Sequence, residues 1–398
     1  MKKSNLFILL SSITTVSAAF GSGVLYAYIL ANSVSYVELG VLTSVMLILT
    51  IILEYPSGII ADYIGRKKTY ALGAFFASLF YILPVLNTSF IILLIAMIFG
   101  AACDAFFSGS LEGWLQSSEN SDKDKNSIPA LIIKSRRITT ALTIFVLLIT
   151  GIITKRNFSY PIILLCSSAG FMAACLLAVF TGNDTKSELS TPSLLVKESF
   201  KEIFSKKAHW PVFVLLATAF SVFSIYCLFY QKRAENLGLG GSSLLYVKAI
   251  AALGLFLGAL LTGRLKKVKN IKNAFIFIYV LMIISWILFI PASSILFIIA
   301  ILCYNIAAGV VLPFYFSNIL PMLNKEVVSS AISLLNALAS VLAVFATMIG
   351  SCLLQYYSLK ICLMFTIIIL LFGFIVTFLT APKKRILNNA PRFFGLHL

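Results

Sequence analysis

The chain has 398 residues, of which 60% are hydrophobic and 11% are charged, and its mean hydropathy is +1.01. Because a soluble globular protein carries about a quarter charged residues, this composition excludes a soluble fold and indicates a membrane protein. The net charge of +17 does not indicate a nucleic-acid partner, since most of the 31 Lys and Arg residues fall on one side of the predicted topology.

The apolar residues are grouped in runs of about 20, the length of a helix that crosses a bilayer. Twelve such runs can be placed, at Leu6–Leu30, Val37–Asp62, Thr69–Leu86, Phe90–Leu115, Ile138–Thr154, Tyr160–Phe180, Trp210–Tyr230, Ser242–Gly263, Ile271–Ile290, Ser293–Asn318, Val328–Tyr356 and Leu359–Thr380. The basic residues place the connections after the even-numbered spans in the cytoplasm. We therefore expect an all-α, multi-pass protein of the plasma membrane with both termini cytoplasmic.

Span 2 ends in the sequence GIIADYIGRKK. Gly58 would let a neighbouring helix approach closely, and Asp62 puts a carboxylate at membrane depth, where a charge needs a partner. Gly65 permits a tight turn out of the helix. Arg66 and Lys67 mark this end of the helix as cytoplasmic.

This stretch resembles the Gly-x-x-x-Asp-x-x-Gly-Arg-Lys signature between spans 2 and 3 of transporters of the major facilitator superfamily. The resemblance implies a charge network in which Asp62 and Arg66 join an acid at the inner end of span 4. Glu112 is the candidate for that acid, and Glu119 is the reserve. The resemblance also implies that Asp62 faces the start of span 11, near Val328, as a latch between two halves of the outward-facing protein. A purely topological role for the stretch is the alternative.

Four acidic or basic side chains fall inside predicted spans, more than two residues from either end: Glu54, Asp104, Glu112 and Lys248. An unpaired charge there costs at least about 2.5–3.5 kcal/mol, so each is a functional candidate. Asp104, near the middle of span 4, is the first candidate for proton coupling and Glu54 the second; a structural hydrogen bond is the alternative for Asp104. Lys248 either counters an anionic substrate in the cavity or extends toward the outer surface, and the sequence slightly favours the second.

Span 4 carries a row of small and polar residues at fourfold spacing, which predicts one polar helix face. The row consists of Gly100, Asp104, Ser108 and Glu112. Ser108, together with Asn305 in span 10, is a further candidate for the lining of a substrate cavity.

The span count and a long central connection predict two six-helix, pseudo-symmetric halves. A weaker copy of the signature, GALLTGRLKK, begins at Gly258 and has Thr262 in place of the acid, which supports a parallel repeat. The predicted organisation is an N-terminal half at 1–180, a cytoplasmic linker with an amphipathic helix at 181–208, a C-terminal half at 209–380 and a cytoplasmic tail at 381–398.

Neither an enzyme nor an ATP-driven pump is expected. The chain has only two histidines, His209 and His397, and no Walker-type glycine loop. Its seven cysteines all lie in apolar runs, where single cysteines behave as small hydrophobic residues. We therefore expect no disulfide, no metal site and no cofactor.

The sequence best fits a monomeric secondary transporter that works by alternating access and uses the proton gradient to export a small amphipathic or hydrophobic compound. Proton-coupled uptake or uniport of a polar solute is the first alternative, and a non-transporting sensor or scaffold is the second. Many drug–proton antiporters of the superfamily carry a Gly-x-x-x-Gly-Pro pattern in span 5. Span 5 of this chain lacks it, which leaves the direction of transport open.

Overall fold

A computed structural model describes residues 3–108, 110–117, 122–181, 210–265, 271–319 and 328–381. The predicted linker helix and the C-terminal tail lie outside the described residues. The described helices are α1 (Lys3–Ala31), α2 (Tyr36–Ile64), α3 (Arg66–Leu86), α4 (Phe90–Phe107), α5 (Ser110–Ser117), α6 (Asp122–Ile153), α7 (Tyr160–Phe180), α8 (Trp210–Asn236), α9 (Ser243–Leu265), α10 (Ile271–Leu288), α11 (Ser294–Ile319), α12 (Val328–Tyr356) and α13 (Leu359–Thr380).

Within the described residues, eleven helices are long and apolar enough to cross a membrane, and α10 is apolar but shorter. These helices match the twelve predicted spans, with the short α5 continuing α4 as the inner end of span 4. Helices α6 and α7 are spans 5 and 6, and α8 to α13 are spans 7 to 12. The predicted all-α membrane fold is therefore confirmed.

Span 4 differs from its prediction, because it is interrupted one turn after Asp104. The sequence predicts one helix from Phe90 to Leu115, whereas α4 ends at Phe107 and α5 begins at Ser110. Serine and glycine, which occupy positions 108 and 109, both favour helix ends over helix interiors. The predicted fourfold row therefore does not run along one continuous helix to Glu112.

Span 5 also differs, because α6 begins at Asp122, well before the predicted start at Ile138. The prediction used hydropathy, which marks the part of a helix that lies in lipid. Lys and Arg have good helix propensity, so the charged residues before Ile138 continue the same helix beyond its apolar segment.

Helix packing repeats between the two halves. In the first half, α1 packs against α6 and α7, α3 packs against α4 and α7, and α2 packs against α4. In the second half, α8 packs against α12 and α13, α10 packs against α11 and α13, and α9 packs against α11. Adding six to each span number converts the first set of pairs into the second. The helices thus form two pseudo-symmetric halves.

The halves meet mainly where α2 packs against α12 and where α6 packs against α9. A Cβ atom added to Gly40 of α2 would lie 2.2 Å from Oγ of Ser351, and one added to Gly151 of α6 would lie 2.6 Å from the ring of Tyr246. All four residues lie at the end of the helices opposite Gly65, which is called the outer end below. The two halves are therefore in close contact at the outer end.

Helices α9 and α11 approach each other backbone to backbone through glycines. A Cβ atom added to Gly258 would lie 2.1 Å from the carbonyl oxygen of Ile306, and one added to Gly309 would lie 2.3 Å from the carbonyl oxygen of Leu255. Small residues permit such close crossings in membranes. Thr262, which stands where the signature has its acid, is buried and donates to the carbonyl of Gly258 at 3.2 Å. The copy of the signature thus packs helices together within one half.

Replacing Gly258 with alanine should destabilise the protein by about 1–3 kcal/mol, the usual cost of overpacking. The gain in helix propensity from alanine, about 1 kcal/mol, should not offset the collision with α11. The matched control is Leu260→Ala on the same helix, because the Leu260 side chain is exposed. Thermal unfolding of the purified variants in detergent measures the effect, and equal midpoints for the two variants would contradict it.

Candidate functional site

The signature stretch forms a sharp turn between α2 and α3 at Gly65. This residue has φ 105° and ψ 143°, a backbone conformation that a side chain would strain. Its N–H donates to the carbonyl of Ala61 at 3.1 Å, and its carbonyl accepts the N–H of Thr69 at 3.0 Å. Gly65 therefore ends one helix and begins the next without an intervening loop.

Lys67 has a structural partner that the sequence does not suggest. Its side chain is buried, and Nζ donates a hydrogen bond to the carbonyl of Thr181, directly after α7. A cation is favourable at a helix C-terminus, where the last carbonyls lack partners. Lys67 thus joins the turn after span 2 to the end of span 6, in addition to any effect on topology.

The side chains of Asp62 and Glu112 and the surroundings of Gly58 lie outside what the structure describes. The charge network and the latch that the resemblance implies therefore stay predictions. The described backbone places the end of α2 directly before Gly65, α5 against α3 and α6, and α2 along α12. Arg66 opens α3, is half-buried and has a polar or ring partner.

Asp104 faces an internal space between helices. Its side chain is exposed, yet its charge acts on Tyr26 of α1 and Tyr81 of α3. Since both tyrosines belong to other helices of the first half, we interpret the accessible face of Asp104 as turned toward a space between these helices. Among the described side chains, none forms an ion pair or a hydrogen bond with the Asp104 carboxylate. Proton binding and substrate binding at this carboxylate stay predictions.

Ser108 and Glu54, two further predicted candidates, lie on the inner side of Asp104. Ser108 is exposed, and its N–H donates to the carbonyl of Asp104 at 3.1 Å, so it ends α4 one turn from the acid. Glu54 lies on α2 and is half-buried; its carbonyl accepts the hydroxyl of Ser57 at 2.9 Å. The two candidate acids therefore lie on different helices of the same half.

Lys248 lies between the halves. A Cβ atom added to Gly23 of α1 would be 3.5 Å from both Cβ and Cγ of Lys248, so the lysine stem passes over that glycine. The Lys248 charge also acts on the thiol of Cys227 in α8. The side chain is half-buried, and both roles that the sequence allows for Lys248 stay predictions.

Tyr26 of α1 is within electrostatic range of Asp104, and sequence reasoning missed this residue. Asp104 and the thiol of Cys227 are both within electrostatic range of Tyr26, and Lys248 is within electrostatic range of Cys227. We call Asp104, Tyr26, Tyr81, Cys227 and Lys248 the central site. Aromatic residues occur throughout the predicted spans, and no signal in the sequence distinguishes these tyrosines from the lipid-facing ones.

Asn305 does not join the central site as a free polar group. It is buried, its Nδ2 donates to the carbonyl of Ile301 at 2.8 Å, and its Cβ lies against Gly254 of α9. Next to it is an aromatic cluster in which Tyr226 packs on Tyr230 and Tyr304, with ring centroids 4.6 Å apart in each pair. Asn305 therefore belongs to the packed wall of the second half.

Gln231 of α8 joins the two halves at the outer end. It is buried, its Oε1 accepts the N–H of Ala27 at 2.7 Å, and its Nε2 donates to the carbonyl of Ser22 at 2.7 Å. The Tyr230 hydroxyl donates to the same carbonyl at 3.0 Å. In a regular α-helix the N–H of Ala27 would donate to the carbonyl of Gly23, and the carbonyl of Ser22 would accept the N–H of Tyr26. Gln231 thus adds partners to one turn of α1, directly beside the central site.

Two further contacts close the outer end. The Tyr160 hydroxyl of α7 donates to Oε1 of Glu235 in α8, while Oε2 of Glu235 pairs with Lys232 at 3.1 Å. The N–H of Tyr36 donates to Oε1 of Gln355 at 3.0 Å, but this pair is exposed. Together with Gln231 and Tyr230, these residues form the outer seal. The outer seal separates the central site from the space beyond the outer end of the helices.

This chain resembles known membrane transporters over most of its length. The sequence profile of the Major Facilitator Superfamily matches residues 6–326. YxaM of Bacillus subtilis (strain 168), described as an uncharacterised MFS-type transporter, is 25% identical over 282 residues, or 68% of each chain.

Two solved structures share the fold. The nucleoside transporter NupG aligns with a TM-score of 0.73 at 14% identity, over 96% of this chain and 98% of NupG. A bacterial homologue of the human lysosomal transporter Spinster, inward-facing and unoccupied, aligns with a TM-score of 0.68 at 13% identity, over 95% of this chain and 96% of its own. The signature turn, the repeated helix packing and the family match lead to one conclusion: the chain belongs to the major facilitator superfamily and is a membrane transporter, not an enzyme.

Proposed function

We propose that this protein is a secondary active transporter that exports a small amphipathic or hydrophobic compound in exchange for protons, by alternating access to the central site. It acts in the plasma membrane as a monomer with both termini in the cytoplasm. The observation that carries the proposal is Asp104, an acid without an ion-pair partner among the described side chains that faces an internal space in the first half.

Proton coupling requires a group whose charge depends on which side of the membrane it can reach. A carboxylate in an apolar interior is costly when ionised and much less so when water reaches it. Opening of the central site to one side therefore favours release of a proton from Asp104, and closure around Asp104 favours its neutral form. Occupation of the site by substrate and by a proton can then exclude each other, as exchange requires.

Export is supported by the resemblance of two stretches to a bacterial branch of the superfamily that is often assigned to efflux. These are the run EYPSG at the inner part of span 2 and the run FSGSLEGW around the break in span 4. Both runs lie beside the candidate acids Glu54 and Asp104. Uptake of a polar solute is the alternative that a flux measurement would reveal.

The proposal is tested with Asp104→Asn, which fixes the neutral form of this side chain. Amphipathic dyes and drugs are first screened for lower accumulation in cells that contain the protein than in cells without it. Proton movement evoked by an exported compound is then measured in proteoliposomes with an enclosed pH dye. We expect Asp104→Asn to abolish this proton movement, while exchange of the compound across the membrane persists.

Glu54→Gln is the matched control, because it neutralises an acid on a different helix, nearer the cytoplasm, and we expect it to disturb gating more than coupling. If Asp104→Asn still moves protons and Glu54→Gln does not, the two roles are reversed. If both variants couple normally, proton coupling does not depend on Asp104 or Glu54, and uniport becomes the better interpretation. Net flux of the compound into cells would mean that the protein takes it up instead of exporting it.

A further inference from the structure

Lys248 is a cation that has no counter-ion among the described residues. Its stem lies over Gly23 of α1, where a glycine leaves room for it, so both halves of the protein form its surroundings. Among the described residues, no carboxylate lies within ion-pair distance of Lys248. Buried or half-buried ammonium groups are normally paired, so this position favours an anion from outside the protein chain.

The charges of the central site are divided between the halves. Asp104 belongs to α4 in the first half, and Lys248 belongs to α9 in the second. Tyr26 of α1 is within electrostatic range of Asp104 and of Cys227, and Cys227 is within electrostatic range of Lys248. The two charged groups therefore belong to different halves of the protein, so a substrate that is bound at Lys248 need not contact Asp104 directly.

We infer that Lys248 binds an anionic group of the transported compound, so that the substrate is an amphipathic anion such as a carboxylate with an apolar body. The inference rests on the proposed function, because it names the substrate class of the same central site. The ammonium group of Lys248 pairs with the anion, and the rings of Tyr26 and Tyr81 contact the apolar body. Asp104 does not contact the anion, and it binds the proton in the part of the cycle in which the substrate is absent, as exchange requires.

Cys227 provides a probe, because it is half-buried on α8 and within electrostatic range of Lys248. The full-length protein is reconstituted in phosphatidylcholine vesicles and treated with N-ethylmaleimide, and mass spectrometry of the Cys227 peptide gives the alkylation rate. Decanoate is the probe ligand, with decanol and decyltrimethylammonium as its uncharged and cationic counterparts. We expect decanoate to slow alkylation of Cys227 about tenfold, and the two counterparts to slow it less than twofold.

Three variants assign the effect to Lys248. Protection by decanoate should be lost in Lys248→Met and kept in Lys248→Arg, which retains the charge. Lys360→Met should also keep it, since Lys360 is an exposed lysine at the outer end of α13. Each variant is compared with itself without ligand, because removing the lysine charge alone changes the reactivity of the thiol. Equal protection in wild type and Lys248→Met would overturn the inference, as would protection by decanol.

A lipid headgroup is the other source of an anion. Vesicles that contain phosphatidylglycerol without decanoate distinguish it, and protection of Cys227 by this lipid alone would overturn the assignment to the substrate. The assay does not depend on proton movement. Loss of coupling with intact protection would therefore overturn the proposed function alone, and loss of protection with intact coupling would overturn this inference alone.

Discussion

Replacing Gln231 with leucine should open the outer end of the protein. The leucine fills a similar volume but forms neither the hydrogen bond to Ala27 nor the one to Ser22. Each hydrogen bond contributes about 0.5–1.5 kcal/mol to the closed state, so the variant loses about 2 kcal/mol. Because 1.4 kcal/mol corresponds to a factor of ten, the closed population should fall about thirtyfold relative to the open one.

Access to Cys227 measures this shift. In right-side-out vesicles, a membrane-impermeant maleimide added outside should react with Cys227 at least about tenfold faster in Gln231→Leu, in line with the expected change in population. Transport should fall together with this change, because a protein held open to one side cannot complete its cycle. The amount of protein in the membrane should stay normal, since the packing within each half is unchanged.

Gln355→Leu is the matched control. It is the same substitution at a glutamine that also bonds across the halves, to the N–H of Tyr36 at 3.0 Å, but at an exposed position. Water replaces an exposed hydrogen bond at little cost. Gln355→Leu should therefore change the reaction rate of Cys227 less than Gln231→Leu does. If the two variants reacted at the same rate, the buried position of Gln231 would have no special role in closing the outer end.

Gln231 also illustrates what the sequence could not predict. Hydropathy predicts that span 7 ends at Tyr230, one residue earlier, whereas α8 continues to Asn236. Its partners, Ser22 and Ala27, are more than 200 residues away in the chain. A hydropathy pattern reports how much of each helix lies in lipid, and it contains no information on which helices of the two halves meet.

The span pattern, in contrast, follows directly from physical constraints on the chain. A membrane helix must satisfy its own backbone hydrogen bonds over about 20 apolar residues, so composition and length predict the all-α fold. The turn at Gly65 follows from the lack of a side chain. The end of α4 at Phe107 was not predicted, because single polar residues such as Ser108 are tolerated inside membrane helices and hydropathy continues across this position.

Of the residues of the central site, only the charged ones could be predicted from the sequence. Asp104 and Lys248 are recognisable because charges within a span are rare and costly. Tyr26 and Cys227 became recognisable only from their positions beside those charges. Lys67 was interpreted as a topology signal, and its bond to Thr181 depends on where α7 ends in space.

Asp62→Asn should abolish most transport while leaving substrate affinity nearly unchanged. In the predicted latch, the Asp62 carboxylate lies at the N-terminus of α12, where the helix dipole and unpaired N–H groups stabilise a negative charge. Losing a hydrogen bond to a charged group costs about 1.5–3 kcal/mol, roughly a 10- to 150-fold shift away from the inner-closed state. Gln231 would then stabilise closure at the outer end and Asp62 closure at the inner end, so each substitution blocks the opposite half of the cycle.

Transport in cells and ligand binding in detergent separate the two quantities for Asp62→Asn. The matched control is Glu38→Gln, an acid at the other end of α2 that accepts hydrogen bonds from the N–H and hydroxyl of Ser35 at 2.8 Å each. Glutamine also forms this capping box, so the control should transport at nearly the wild-type rate. Access to Cys227 from outside should fall in Asp62→Asn, opposite to its rise in Gln231→Leu, because the inner-closed state is depleted. Wild-type turnover of Asp62→Asn would mean that the signature stretch acts in this protein only as a turn and a topology signal.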